Sequence, residues 1–375
     1  MRKKNKDIFN PFVTDGYAGK RYFCDRHQET EDLLNSLRNG NNVTLYSPRR
    51  MGKTGLIWHV FETLKSENYR CYYIDIMDTW DLNDFINKFA SVVMGSMDGK
   101  VEAFMSNAIK VFGSLRPSFS VDPMTGSPKM SLDIAENQES ATLDSIFQYL
   151  KEKGERCFIA IDEFQQVREY PQRGTEALLR SKIQFVPNAT FVFSGSRRHL
   201  ITDIFSNPQK PFYESTEPLY LSEIDKREYY AFASNFFQES GRKLPQDVFD
   251  GIYDAVYGHT WYVQKWLNSV YYSAKGDVTR EDAQSAIQNI LRRQKENFQT
   301  ILSGLNTNER NVLIAIAKEG IVKKPQSSAF LDKYELPAAS TVKSCLDRMV
   351  DREIVYENRG EYSVYNRFLA IYLKG

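Results

Sequence analysis

The chain has 375 residues, enough for two or three domains at roughly 100 to 200 residues each. Its 49 Lys and Arg against 48 Asp and Glu exclude a global electrostatic pull toward nucleic acid or an anionic membrane, so any such contact has to be local. Cys24, Cys71, Cys157 and Cys345 stand far apart with no CxxC pair, which argues against a zinc site or a disulfide framework, fits a reducing cytoplasm and leaves core filling as their default role.

The basic start Met1 to Lys6 runs into Asp7, Asn10 and Pro11 rather than an apolar stretch, so it does not read as a secretory signal. No segment reaches the roughly 18 apolar residues that a bilayer-spanning helix needs. The expectation is a soluble, cytoplasmic protein with no membrane partner. YFCDRHQETEDLL, from Tyr22, is an aromatic start followed by an amphipathic helix. Residues 43–46 (VTLY) form a short β-prone run, followed by a polar turn, a helical pattern from Gly52 to about Lys65, and a second β-prone run from Cys71 to Ile76. Strand, helix, strand is the unit of a parallel α/β sheet. Residues 117–134, PSFSVDPMTGSPKMSLDI, alternate polar and apolar around Met124-Thr125-Gly126-Ser127 and read as an inserted β-hairpin. Arg156 to Ile161 and Thr190 to Ser194 supply two more strands, apolar enough to be buried on both faces.

After about Leu221 helices take over, with breaks at Gly241, Pro245, Gly258 and Gly276, and Thr279 with Asp282 caps a long periodic run. From Asn306 the order is three helices and a hairpin around Asn358-Arg359-Gly360, the order of a winged helix-turn-helix. The expected division is an α/β nucleotide-binding domain over 1–221, a helical lid over 222–303 and a winged helix over 304–375.

Ser47-Pro48-Arg49-Arg50-Met51-Gly52-Lys53-Thr54 resembles the phosphate-loop pattern GxxxxGK[ST], with Ser47 in place of the first glycine. A strand that ends in a tight turn and opens a helix directs backbone N–H groups at phosphates. Lys53 would neutralise the β- and γ-phosphates and the Thr54 hydroxyl would ligate Mg²⁺. The alternative is a solvated strand-to-helix turn. Arg49 and Arg50 either contact phosphate or a neighbouring subunit or are solvated; they count with the binding segment and take no catalytic role.

Cys157 to Glu163 (CFIAIDE) is an apolar strand ending in two carboxylates. Asp162 would hold the Mg²⁺ shell, and Glu163 would orient and polarise the attacking water; otherwise the pair begins a solvated helix. The next strand, FVFSGS, ends at Ser196-Arg197-Arg198. An arginine at the carboxyl end of a parallel strand can reach a γ-phosphate, and Arg197 is preferred over Arg198 for this sensor role. Its alternative is a loop arginine paired with a surface carboxylate. His27, His59, His199 and His259 show no metal-ligand spacing.

Together, YSPRRMGKTGL, CFIAIDEFQQV, FVFSGSRRHL with PFYESTEPLYL downstream, and YGHTWYVQKWL resemble the archaeal-type ATPases, of the MNS branch of the STAND P-loop ATPases and related to AAA+ proteins. The resemblance spans about residues 9 to 375 and implies an AAA+/STAND-like parallel sheet, a helical lid, a C-terminal winged helix, and ATP with Mg²⁺ as ligands. It also implies that Phe23, Cys24 and Arg26 lie in the segment beside the adenine. Three positions depart from the family pattern. Ser47 replaces glycine, Gly55 stands where a hydroxyl residue is common, and Thr260 replaces the proline of the lid motif Gly258-His259-Thr260.

Three functions are compatible with these residues. The first is an ATPase acting as a nucleotide-dependent conformational switch, with ATP and ADP as ligands and a protein partner. The second is an ATP-regulated DNA-binding protein that uses its winged helix. The third is a nucleotide-dependent interaction module that does not hydrolyse. Residues 301–375 carry 11 Lys and Arg against 9 Asp and Glu, and the expected recognition helix mixes Lys343, Arg348 and Arg352 with Asp347, Asp351 and Glu353, so acidic neighbours offset phosphate contacts. Oligomeric state leaves no mark in the sequence.

Overall fold

The computed structural model describes residues 9–95, 101–112, 117–121, 128–135 and 138–375. The chain divides into two compact units, Gly16–Ser222, and Glu223–Gly375 together with the stretch ending at Asp15.

In chain order the first unit contains a 3-10 turn (Lys20–Tyr22), α1 (His27–Arg38), β1 (Val43–Tyr46), α2 (Lys53–Ser66), β2 (Arg70–Asp75), α3 (Leu82–Gly95), α4 (Val101–Phe112), β3 (Ser118–Val121) and β4 (Pro128–Ser131). There follow α5 (Glu139–Lys153), β5 (Cys157–Asp162), a second 3-10 turn (Phe164–Arg168), α6 (Thr175–Ile183), β6 (Ala189–Gly195), α7 (Arg198–Ser206) and β7 (Glu217–Tyr220). Five strands form one parallel sheet in the order β2-β5-β6-β1-β7. Tyr46 is level with Gly195 and Asp75 with Asp162, so these strands end together at one edge. β3 and β4 pair antiparallel, Ser118 opposite Ser131; the turn expected at Met124 to Ser127 lies outside the described residues.

Strand alternation assigns the two faces of the sheet. On β5, Phe158 and Ala160 join Val43, Leu45 and Val192 against Leu33 and Leu37 of α1 and Leu56, Ile57, Val60, Phe61 and Leu64 of α2. Cys157, Ile159 and Ile161 face the other way, with Ile74, Phe191 and Phe193, against α3, α5, α6 and α7. All six residues of β5 are buried, which is why its sequence reads as an unbroken apolar run. At roughly 1.5 to 3 kcal/mol per fully buried aliphatic or Phe side chain, these two cores are the main source of the unit's stability.

The second unit begins with α8 (Lys226–Glu239), α9 (Gln246–Ala255), α10 (Thr260–Ser273) and α11 (Arg280–Ser303). Thr279 and Asp282 complete a reciprocal capping box on α11. Phe12 is fully buried against Phe236, Phe237 and Tyr271. Asn268 donates to the Phe12 carbonyl at 2.7 Å and Trp261 to the Thr14 carbonyl at 2.9 Å, which is how the N-terminal stretch joins this unit.

The chain then forms α12 (Thr307–Glu319), α13 (Ser328–Lys333), α14 (Ala339–Asp351), the hairpin β8 (Val355–Asn358) and β9 (Glu361–Val364), and α15 (Arg367–Lys374). A bridge from Val322 to Tyr362 adds a third extended segment to the hairpin. This is the winged helix, extended by α15, whose first turn is capped by Asn366. No described helix is long and apolar enough to cross a membrane, and all four cysteines are free thiols, each buried. Burial pushes the thiols of Cys71 and Cys157 up to about 12, so they remain protonated.

Glu309 ties the winged helix together. It is buried, closes the Asn306 capping box of α12, and accepts from Arg348 of α14 at 2.7 Å. The Arg348 hydrogen bond, with help from the Asn306 amide, holds its carboxyl below the usual carboxylate range. A depressed folded value means the stabilisation is complete above the unfolded carboxylate range and is lost as pH falls through the folded value. Glu309→Ala is expected to cost on the order of 1 to 3 kcal/mol at pH 7. The cost should shrink as the medium is acidified below the carboxylate range, as measured by denaturant unfolding of variant and parent across pH.

Candidate nucleotide site at the carboxyl edge of the sheet

After Tyr46 the chain reverses through residues 47–52 before α2 opens at Lys53. Arg50 and Gly52 adopt left-handed backbone, at φ 66° and 97°, and at Gly52 only glycine avoids a steric cost. Gly52 is the N-cap of α2, and no side chain caps its first-turn amides. Uncapped N–H groups at the positive end of a 14-residue helix are anion donors. Ser47, in place of the pattern's first glycine, is not among the residues with positive φ, so a Cβ is tolerated there. Lys53 is 6% exposed, and its ammonium turns back to donate to the Pro48 carbonyl at 3.2 Å and to the carbonyl and hydroxyl oxygens of Ser47 at 3.4 Å. Met51 is buried, Pro48 and Arg49 are half-buried, and Arg50 is exposed.

The segment before α1 braces this loop. Arg26, also left-handed at φ 66° and only 3% exposed, donates to Glu29 at 2.7 Å, to the Met51 carbonyl at 2.9 Å and to the Ser222 carbonyl at 2.8 Å. Its guanidinium thus holds the loop from behind. Phe23 stacks on His59 at 4.3 Å, and a Cβ at Gly55 would lie 3.5 Å from the Phe23 ring. A Cβ at position 55 would therefore make ordinary van der Waals contact with that ring. Tyr17 completes the cluster, donating to Glu62 at 2.5 Å and pairing with His59 Nδ1 at 2.9 Å.

At the end of β5, Asp162 is 4% exposed and meets four donors. Thr54 of α2 reaches Oδ2 at 3.1 Å and Tyr73 of β2 reaches the same oxygen at 2.5 Å. Ser194 of β6 reaches Oδ1 at 2.5 Å, and the Glu163 amide donates there at 3.0 Å. A buried carboxylate is stable only with such compensation. Burial, then the Asp162 charge, push the Tyr73 phenol upward, so it stays protonated and donates. Asp75, level with Asp162 on β2, has its carboxyl raised, chiefly by desolvation in the crowded strand end and then by Asp162 and Glu163.

Glu163 leaves the strand in left-handed backbone at φ 58°. Its Oε2 accepts from the Ser196 hydroxyl at 2.7 Å, from the Ser196 amide at 3.3 Å and from Gln165. Gln165 lies over Gly195, where a Cβ would stand 2.0 Å from its amide oxygen and 2.5 Å from Ile201; this close approach requires glycine. Arg49 donates to the Ser196 hydroxyl at 2.8 Å. Arg197, half-exposed, donates to Glu169 at 3.3 Å.

The structure therefore joins the phosphate loop to the acidic strand end through Thr54 and Asp162, and to Glu163 through Arg49 and Ser196. It engages Arg197 with a surface carboxylate. Sequence reasoning missed Tyr73, Ser194, Ser196 and Gln165. The two serines alternate at the end of FVFSGS, a legible sign that both sit at the crevice, but nothing local marks Tyr73.

Residues 23–266 match the family of ATPase domains found predominantly in Archaea. The chain belongs to that family. Residues 296–375 of the chain match a probable winged helix domain. An uncharacterised ATP-binding protein of Methanocaldococcus jannaschii is 20% identical over 363 residues, covering 90% of this chain and 92% of that one. Among solved structures, the Walker-type ATPase of Pyrococcus abyssi superposes with a TM-score of 0.67 at 16% identity, over 97% of this chain and 99% of that one. The Orc2 protein of Aeropyrum pernix, solved as ADPNP-ADP complexes, gives 0.57 at 15% identity, over 97% and 95%. At these identities the likeness is one of fold: a P-loop sheet of the AAA+-related kind, with a winged helix.

The Tyr73 hydroxyl gives a direct check on the Asp162 environment. Tyr73→Phe removes one charge-assisted donor and is expected to lower stability by about 1.5 to 3 kcal/mol. Chemical denaturation should show that loss with the far-ultraviolet circular dichroism of the folded protein unchanged.

Proposed function

We propose that this ATPase-family protein binds Mg-ATP at the carboxyl edge of its sheet and hydrolyses it as a nucleotide-dependent switch. The observation that carries this reading is the 3.1 Å contact between Thr54 and Asp162, which unites two corners of the site 108 positions apart. The donor set suits the ligand. Uncapped α2 amides and Lys53 match phosphate oxygens, while a hydroxyl and a carboxylate are the hard oxygen donors that Mg²⁺ takes alongside phosphates. ATP binding by the Methanocaldococcus jannaschii relative supports ATP as the nucleotide.

Bound Mg-ATP would supply the scissile phosphoanhydride and the metal charge that neutralises it. Thr54 and Asp162 would hold the metal, and Lys53, released from the loop carbonyls, would neutralise phosphate oxygens. Tyr73 and Ser194 keep Asp162 aimed. Glu163 would orient water and accept its proton. Arg197 would have to leave Glu169 to act as a sensor. Phe23 flanks α2 beside the loop and would approach the base, whereas Arg26 would act by bracing the loop. A protein partner receiving the nucleotide state fits this reading better than DNA. On α14 and at its C-cap, Arg348 is held by Glu309 at 2.7 Å and Arg352 donates to the Gly304 carbonyl at 3.1 Å, so two of the three basic residues there, Lys343 being the third, are engaged within the winged helix.

Lys53→Ala is expected to weaken ATP binding by at least about 100-fold in equilibrium titration, since it removes the buried cation of the loop. Glu163→Gln should retain binding and lose about 100-fold or more in phosphate release. Unaltered release from Glu163→Gln would remove it from the water-orienting role. For the winged helix, titration of duplex DNA at rising salt is expected to show weak binding with a shallow salt slope; tight binding that falls steeply with salt would favour the DNA-regulator reading.

A further inference from the structure

Arg49 sits inside the phosphate loop, yet its Nε–H donates at 2.8 Å to the Ser196 hydroxyl just past β6, the strand that lies between β1 and Asp162's strand β5. Ser196 is 4% exposed and has one hydroxyl proton, which it gives to Glu163 Oε2 at 2.7 Å. The three groups form a chain with a single direction, guanidinium to hydroxyl to carboxylate, in which each donor strengthens the next. The Ser196 amide and Gln165 add to the same oxygen, so Oε2 is the held atom and Oε1 is the one left to meet water. Glu163 needs such fixing. It stands at φ 58° on the first residue past β5, outside the ladder, and its carboxylate is carried on rotatable bonds.

We propose that Arg49 is a positioning residue that acts through Ser196 to aim Glu163, rather than a phosphate ligand. The proposal rests on Glu163 being the water-orienting group. It distinguishes Arg49 from its neighbours in the loop, because Lys53 and the α2 amides serve the phosphates while Arg49 serves the carboxylate. It also gives Gly195 a purpose, since its missing Cβ leaves room for the Gln165 amide that shares the held oxygen. Misplacement of a reacting group by about 1 Å can cost up to roughly 100-fold in rate, so loss of the chain should be visible in kcat.

The test is a double-mutant cycle in the full chain, read by steady-state ATP hydrolysis and by equilibrium ATP affinity. Arg49→Gln and Ser196→Ala are each expected to lower kcat by about 10-fold or more, with KM and ATP affinity within about two-fold of the parent. The double variant should be no slower than the slower single variant, because both break one chain. In a Glu163→Gln background neither substitution should change the residual rate. Melting temperature, measured alongside, separates a lost fold from a lost alignment. Three results would overturn the proposal: an ATP affinity that drops 10-fold or more in Arg49→Gln, rate losses that multiply in the double variant, or full activity in Ser196→Ala. If Glu163→Gln itself hydrolyses at the parent rate, the water-orienting role of Glu163 falls and the proposal falls with it, a result distinct from multiplied losses in the cycle.

Discussion

The buried carboxylate of Asp162 is the constraint around which the nucleotide-binding unit is arranged. A charge taken out of water is tolerated only where donors replace its hydration, and four do so here, from α2, β2, β6 and the next peptide of its own chain. Each donor fixes one element relative to the others: Thr54 sets where α2 starts, Tyr73 sets the edge strand, and Ser194 sets the neighbouring strand. The level ending of these strands follows from the parallel register, but their chemical convergence follows from this one side chain.

The phosphate loop and Glu163 share a second layer of restraint. Left-handed backbone occurs at Arg50 and Gly52 on one side of the crevice and at Glu163 on the other. Such conformations persist where surrounding contacts over-determine them. Arg26 supplies part of that restraint beneath Met51, and Arg49 with Ser196 supplies it across the crevice. Arg49 therefore differs from Lys53 in its partners. Lys53 donates to the loop's own oxygens, at Ser47 and Pro48, while Arg49 donates to Ser196 beyond the loop.

In the winged helix the same economy of charge operates differently. Glu309 serves both to complete the Asn306 capping box of α12 and as the partner of Arg348 on α14. Arg348 and Arg352, both exposed, donate to groups of the module itself. Near-neutral charge in this segment is thus structural as well as compositional.

Much of this molecule was written in local patterns. Apolar runs buried on both faces announced β1, β2, β5 and β6 to within a residue or so, because alternation is lost when both sides of a strand are covered. The loop from Ser47 to Thr54 and the pair Asp162 and Glu163 were legible because glycine, lysine and strand-end carboxylates are rare combinations with a specific chemistry. The exposed edge strand β7, with Pro218 in it, carried too little β propensity to be read. What the amino-acid order determined by itself was therefore the kinds of element and the candidate site residues. Tertiary structure alone decided that Tyr73, Ser194 and Ser196 serve the two carboxylates, that Arg26 braces the loop, that Arg197 meets Glu169, and that Phe12 packs in the second unit. Those are contacts between positions far apart in the chain, set by strand order and by the burial of charge, and no local period encodes either.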